Sequence, residues 1–141
     1  MDFNKAQMIS RSVNEWNDCT VKAISIACDV PYKVAHKALA NEGRRNRCGC
    51  YGHQQKAAIK ALGFKVEMKD VTAKTMGTVA RDKAVQDGHF LVYVRAHVAA
   101  VVNGKVEDWT EGRRHRVISV YKVTPAASRK ERKRMQKELF A

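Results

Sequence analysis

The residue best placed for nucleophilic chemistry is Cys19, at the start of a predicted helix. In residues 14–29 (NEWNDCTVKAISIACD), apolar residues recur at the spacing of one helical face. Asn17 or Asp18 is a suitable N-cap, so Cys19 falls in the first turn. There the positive end of the helix dipole stabilises a thiolate and lowers the pKa of the thiol. This position favours a nucleophile, although an inert, buried cysteine would have the same pattern around it.

A predicted β-hairpin carries a candidate base and its partner. Asn103-Gly104 is a strong signal for a two-residue turn, and pairing the flanking strands outward from it places Ala99 opposite Asp108. Because side chains alternate along a strand, His97 shares a face with Ala99 and becomes a diagonal neighbour of Asp108. A carboxylate that accepts an imidazole N–H fixes the tautomer and supports the imidazolium. The spacing therefore predicts a His–Asp pair suited to general base catalysis.

The other four histidines have no comparable partner in the sequence. His36 lies among lysines on a predicted helix, which favours a solvated side chain. His53 follows a basic loop, and His89 opens a strand with no acidic residue across a defined turn. His115 lies between arginines, which disfavour the imidazolium that a base must become. We therefore expect His97 to be the base.

The order of predicted elements indicates an α+β domain, with N-terminal helices packed on a C-terminal antiparallel β-sheet. Residues up to Ser12 are polar and are predicted to form an arm or a loosely attached first turn. After the Cys19 helix, Asp29 is the predicted cap of a helix that ends at Gly43. The remaining predicted elements are a helix over 54–62, a strand over 64–68, a helix over 75–86, and strands over 89–95, 98–102, 105–109 and 117–123.

Length and composition favour a single domain. The chain has 141 residues, of which 45% are apolar, enough to bury one core. We expect this domain to cover residues 1–127 and a basic C-terminal tail to cover 128–141. No apolar run approaches the ~18 residues that a membrane helix needs, and the first residues lack a signal peptide's apolar stretch. These patterns predict a cytoplasmic protein with no membrane contact.

The excess of positive charge suggests that the protein contacts a negatively charged partner. Lys and Arg number 27 against 14 Asp and Glu, a formal net charge of +13, and they cluster at 44–47, 113–116 and 129–137. Such clusters favour contact with nucleic acid or an acidic protein surface. We expect removal of 128–141 to weaken that contact while leaving the fold and Cys19 reactivity nearly unchanged. A basic binding module without catalysis remains the alternative function.

Three short motifs resemble one enzyme family. They are NDCTV at 17–21, FLVYVRAHVAAVVNG at 90–104 and EDW at 107–109. In this order they resemble the papain-like cysteine peptidases, in particular the small bacteriocin-processing (C39-like) branch with its short phage-encoded members, across residues 12–123. The resemblance implies a papain-like fold, with Cys19 as nucleophile, His97 as general base and then acid, and Asp108 as the orienting carboxylate.

The same resemblance implies a thiol protease or amidase that cleaves a peptide or isopeptide bond in a protein or peptide substrate, without a metal or organic cofactor. A phage-encoded member would act on host protein in the host cytoplasm. The family places an oxyanion-hole Gln about six residues before the cysteine, where this chain has Val13. Asn17, or with less support Asn14, is then the expected side-chain donor, together with the Cys19 backbone N–H.

A metal site is the competing interpretation of the cysteines. Cys48, Cys50 and His53 offer three ligands, and Cys28 could be a fourth. Structural zinc sites usually have two ligand pairs, each separated by two to four residues, and the sequence contains no second pair. The spacing therefore favours no metal.

Overall fold

The computed structural model describes residues 1–141, with four of the six helices in the first half and most of the sheet in the second. The helices are α1 (Phe3–Ser12), α2 (Cys19–Cys28), α3 (Tyr32–Asn41), α4 (Gly52–Ala61), α5 (Met76–Val79) and α6 (Arg129–Glu138). The strands are β1 (Phe64–Lys69), β2 (His89–Val94), β3 (His97–Val102), β4 (Lys105–Glu107) and β5 (Ser119–Pro125). The predicted α+β class is confirmed.

The five strands form one antiparallel sheet in the order β1-β5-β2-β3-β4. The β3–β4 hairpin has the predicted register, with Val102 paired to Lys105 across Asn103 and Gly104. Both turn residues have positive φ, 49° and 80°, as a tight hairpin turn requires. On its other side β3 pairs with β2, which places His97 opposite Val94 at the end of the two strands.

Each face of the sheet buries its own apolar cluster. Helices α1 to α4 cover one face, where α2 packs across β3 and is buried along almost its whole length. The other face is covered by the segment between β1 and β2, through Met76, Val79 and Val85. Alternate residues of the same strands thus point into the two clusters, as the period of a strand dictates.

Two predictions about the N-terminal half are wrong. The first residues are not a loose arm but helix α1, because the Asp2 carboxylate accepts the Lys5 N–H at 2.8 Å and Ala6 is buried against the core. Asp29 does not cap the second helix. It ends α2 in the left-handed conformation (φ 51°), and Pro31 is the N-cap of α3.

The predicted helix over 75–86 is broken in the structure. Only α5 and a short 3-10 turn (Lys83–Val85) form there. The reason is Asp82, whose carboxylate accepts the backbone N–H groups of Thr72, Ala73 and Ala84. These hydrogen bonds compete with helix continuation, because they use a side chain to satisfy backbone donors.

The basic tail forms helix α6, which lies against β1. Ser128 caps it, Arg132 stacks over the Phe64 ring at 5.1 Å, and Gln136 Nε2 donates to the Leu62 carbonyl at 3.1 Å. Gly63 permits this approach, since a Cβ at that position would lie 2.5 Å from Arg132 Cγ. None of the helices has the length and apolar character that crossing a lipid bilayer requires.

Candidate active site

Cys19 lies in the first turn of a helix, as predicted, and is the first residue of α2, where it faces β3. Burial alone would raise the pKa of its thiol, but hydrogen bonding from His97 and from the Val98 backbone N–H brings that pKa below its ordinary value. The side chain is partly accessible to solvent. The structure therefore provides a thiol that is poised to ionise and can be reached.

His97 and Asp108 are in direct contact. His97 Nε2 donates to Asp108 Oδ2 at 2.7 Å, and both side chains are nearly buried, at 12% and 6% exposed. The same carboxylate oxygen accepts the Thr110 backbone N–H at 3.1 Å and the Thr110 hydroxyl at 2.6 Å. Thr110 thus fixes the orientation of the carboxylate, and the remaining ring nitrogen, Nδ1, is left to interact with Cys19.

The imidazole is strongly biased toward its charged form. Burial would lower the pKa of His97, but the Asp108 carboxylate and the Cys19 sulfur raise it from 6.5 to about 9. Since each member of the Cys19–His97 pair favours the ionised form of the other, the geometry supports a thiolate–imidazolium pair at neutral pH. Such a pair is the reactive form of a nucleophilic cysteine.

Trp109 packs against the imidazole of His97. The two ring centroids are 5.1 Å apart, and the indole is 47% exposed. The Arg113 guanidinium lies 5.5 Å from the centroid of the indole. Trp109 directly follows Asp108 in the sequence, but no periodic pattern there predicts this contact.

The two expected oxyanion donors differ in their hydrogen bonding. The Cys19 backbone N–H has no backbone acceptor, as expected for the first position of a helix. Asn17 is exposed in the left-handed conformation (φ 50°), and its Nδ2 donates to the Arg47 carbonyl at 3.3 Å. That contact holds the Asn17 amide against the loop between α3 and α4, and one of its two N–H protons is left without an acceptor.

The other three cysteines differ from Cys19. Cys28 is buried at the far end of α2, where burial raises its pKa to about 12. Burial also raises the pKa of Cys50, which lies near Thr20, while Cys48 is exposed. The structure groups no three His, Cys, Asp or Glu side chains in a way that could hold a metal ion, and this includes Cys28, Cys48, Cys50 and His53.

A buried ion pair, which no pattern in the sequence predicted, anchors the loop between α3 and α4. Glu15 accepts two hydrogen bonds from Arg44, at 3.0 and 3.1 Å, and the Arg47 backbone N–H at 2.7 Å. Burial would raise the pKa of Glu15, but these partners lower it to about 2. His36 also donates to Glu15, at 2.7 Å, so it is not the solvated side chain that was predicted.

Asp18, the residue before Cys19, is also held in place by buried hydrogen bonds. The Asp18 side chain does not cap α2 but accepts the Ser10 and Tyr32 hydroxyls, each at 2.6 Å. Burial would raise the pKa of Asp18, but these hydrogen bonds and Lys22 lower it. The hydrogen bonds join α1 and α3 to the start of α2. They fix the point at which the helix presents Cys19.

Comparison with known proteins identifies no relative. No family model matches the chain, and no curated protein or solved structure matches it.

Proposed function

We propose that the protein is a thiol hydrolase of papain-like type that cleaves a peptide or isopeptide bond by acyl transfer. The observation that carries this proposal is the placement of Cys19 beside the buried His97–Asp108 pair, with a lowered thiol pKa and a raised imidazole pKa. Residues with purely structural roles do not require a helix-start thiol, a base and an orienting carboxylate in this order of contact.

The mechanism follows from the roles of the three residues. The Cys19 thiolate attacks the substrate carbonyl, and the oxyanion that forms accepts the Cys19 N–H and the Asn17 amide. The His97 imidazolium gives its proton to the departing amine, so the C–N bond breaks and an acyl-thioester remains. Neutral His97 then takes a proton from a water molecule whose oxygen attacks the thioester carbonyl. The C–S bond breaks, the acid is released, and the Cys19 thiolate and His97 imidazolium are restored. Asp108 keeps the imidazole oriented throughout.

A cavity of about 510 Å³ is lined in part by β2, the strand that pairs with the His97 strand, and this supports a peptide substrate. It lies between the start of α4 and the end of β2, and Tyr93, Tyr121 and Ile118 provide much of its apolar lining. Val94, which also lines it, pairs directly with His97. The cavity therefore suits an apolar side chain close to the bond that is cut.

We assign the activity to the cytoplasm, in a host cell if the chain is phage-encoded, because a reducing compartment preserves a free thiol nucleophile. All four cysteines are free thiols in the structure. A binding module without catalysis, which uses the net charge of +13 to contact nucleic acid or an acidic protein, is the alternative. The two functions make opposite predictions for a Cys19 variant.

The test is a search for new peptide termini. A proteome-derived peptide library is incubated with the wild-type protein and with Cys19→Ala, and new termini, deamidated residues and released isopeptide branches are counted by mass spectrometry. We expect products with the wild type and none with Cys19→Ala. The matched control is Cys48→Ala, which removes an exposed thiol and should leave the products unchanged. An absence of products from the wild type, or equal products from Cys19→Ala, would contradict the proposal.

A further inference from the structure

A second cavity, of about 480 Å³, lies at the opposite end of α2 from Cys19. One wall is apolar and comes from the sheet, with Phe64, Val123 and Pro125. The other wall is the first half of α6, which contributes Arg129, Arg132 and Lys133 among others. A volume of this size accommodates a ligand the size of a nucleotide. The ten residues of α2 separate this cavity from Cys19 by about 15 Å.

The cationic wall has no compensating charge within α6. Both carboxylates of this helix, Glu131 and Glu138, pair with Arg134. Arg129, Arg132 and Lys133 form no ion pair. Like charges three and four residues apart on a helix repel each other, so an anion in the cavity would stabilise this face.

No free carboxylate on the other side of the cavity neutralises these cations of α6. Asp29 is the one carboxylate in the lining, and the Met1 ammonium pairs with it at 3.4 Å. His89 is fixed by a hydrogen bond from Nδ1 to the Ala27 carbonyl, at 2.9 Å. The cavity thus presents uncompensated positive charge opposite an apolar surface.

We propose that this cavity binds a phosphate monoester attached to a planar ring, as in a nucleoside monophosphate or the 5′ end of an RNA. Guanidinium groups bind phosphate oxygens with paired hydrogen bonds, and Arg129 and Lys133 supply cations with no other partner. The ring of the ligand packs on Val123 and Pro125, beside the Phe64 ring that Arg132 already covers. The site acts independently of the Cys19 chemistry.

The test uses calorimetric titration of the full-length protein with AMP at low salt, compared with adenosine and inorganic phosphate. We expect AMP to bind at least tenfold more tightly than either fragment. The double variant Arg129→Gln/Lys133→Gln should weaken AMP binding at least tenfold. The matched control is Lys130→Gln/Lys137→Gln, which removes the same charge from α6 outside the cavity and should change binding less than threefold. Thermal melts establish that all variants fold.

Two results would overturn the proposal: no AMP binding by the wild type, or an equal loss in both double variants, which would indicate general attraction to a basic surface. A 5′-phosphorylated RNA trinucleotide and its 5′-hydroxyl form identify the source of the phosphate. Tighter binding of the phosphorylated trinucleotide than of AMP supports the site as a reader of RNA ends. Weaker binding supports a free nucleotide as the ligand.

Discussion

Replacement of Asp108 by Asn tests the electrostatic basis of the candidate site. Asp108→Asn keeps the shape of the side chain, and its amide oxygen can still accept a hydrogen bond from Thr110. It removes the negative charge 2.7 Å from His97 Nε2. Burial then acts on the imidazole with less opposition, so the His97 pKa falls and a smaller fraction of the protein holds the thiolate–imidazolium pair.

The size of the effect follows from the pKa of His97. The rise from 6.5 to about 9 corresponds to roughly 3 kcal/mol in favour of the imidazolium. Asp108 is the larger of the two contributors and Cys19 the other. Assigning about half of the free energy to Asp108 gives a roughly tenfold lower ratio of the thiolate–imidazolium pair to the neutral pair in the variant. We therefore expect alkylation of Cys19 at pH 6.5 to slow by up to about tenfold in Asp108→Asn.

The assay is the second-order rate of iodoacetamide labelling, resolved by mass spectrometry for each cysteine peptide. In the wild type Cys19 should label faster than Cys28, Cys48 and Cys50. Asp87→Asn is the matched control, because Asp87 is an exposed aspartate and its replacement removes the same charge. A labelling rate of Asp108→Asn within twofold of the wild type and of this control would refute the coupling of Asp108 to the thiol.

Three further predictions concern pH and stability. Glu15→Gln leaves the Arg44 guanidinium buried beside a neutral amide. It should lower the free energy of unfolding by about 3–5 kcal/mol in urea titrations at pH 7. The control variant Glu111→Gln should change this free energy little. Since the Glu15 pKa is lowered from 4.5 to about 2, that difference should persist above pH 4.5 and shrink as the pH falls toward 2. The rate of the proposed peptide hydrolysis should decline above pH about 9, because His97 there loses the proton that the leaving amine requires. A constant rate up to pH 11 would contradict the role of His97 as general acid. Deletion of 128–141 should lower the melting temperature, because α6 covers part of the sheet, yet leave labelling of the candidate nucleophile within twofold.

Local sequence signals determined the elements that carry the candidate site. The apolar spacing after Asp18 predicted a helix with Cys19 in its first turn. The Asn103-Gly104 turn predicted the register that brings His97 next to Asp108. Both signals act over a few residues: one through the period of a helix, the other through the positive φ angles of a tight turn. Site residues separated by only eleven positions could therefore be paired without knowledge of the whole fold.

Long-range contacts determined the parts of the candidate site that local sequence patterns did not predict. The approach of Cys19 to His97 joins residues from the two halves of the chain, and it depends on α2 packing across β3. The ion pair between Glu15 and Arg44 is equally nonlocal, since charged residues with 28 others between them give no periodic signal. Polar partners become recognisable only when burial removes water as their competitor, and burial is a property of the assembled fold. The sequence by itself determined which groups were chemically capable; tertiary packing decided which of them meet and how strongly they ionise.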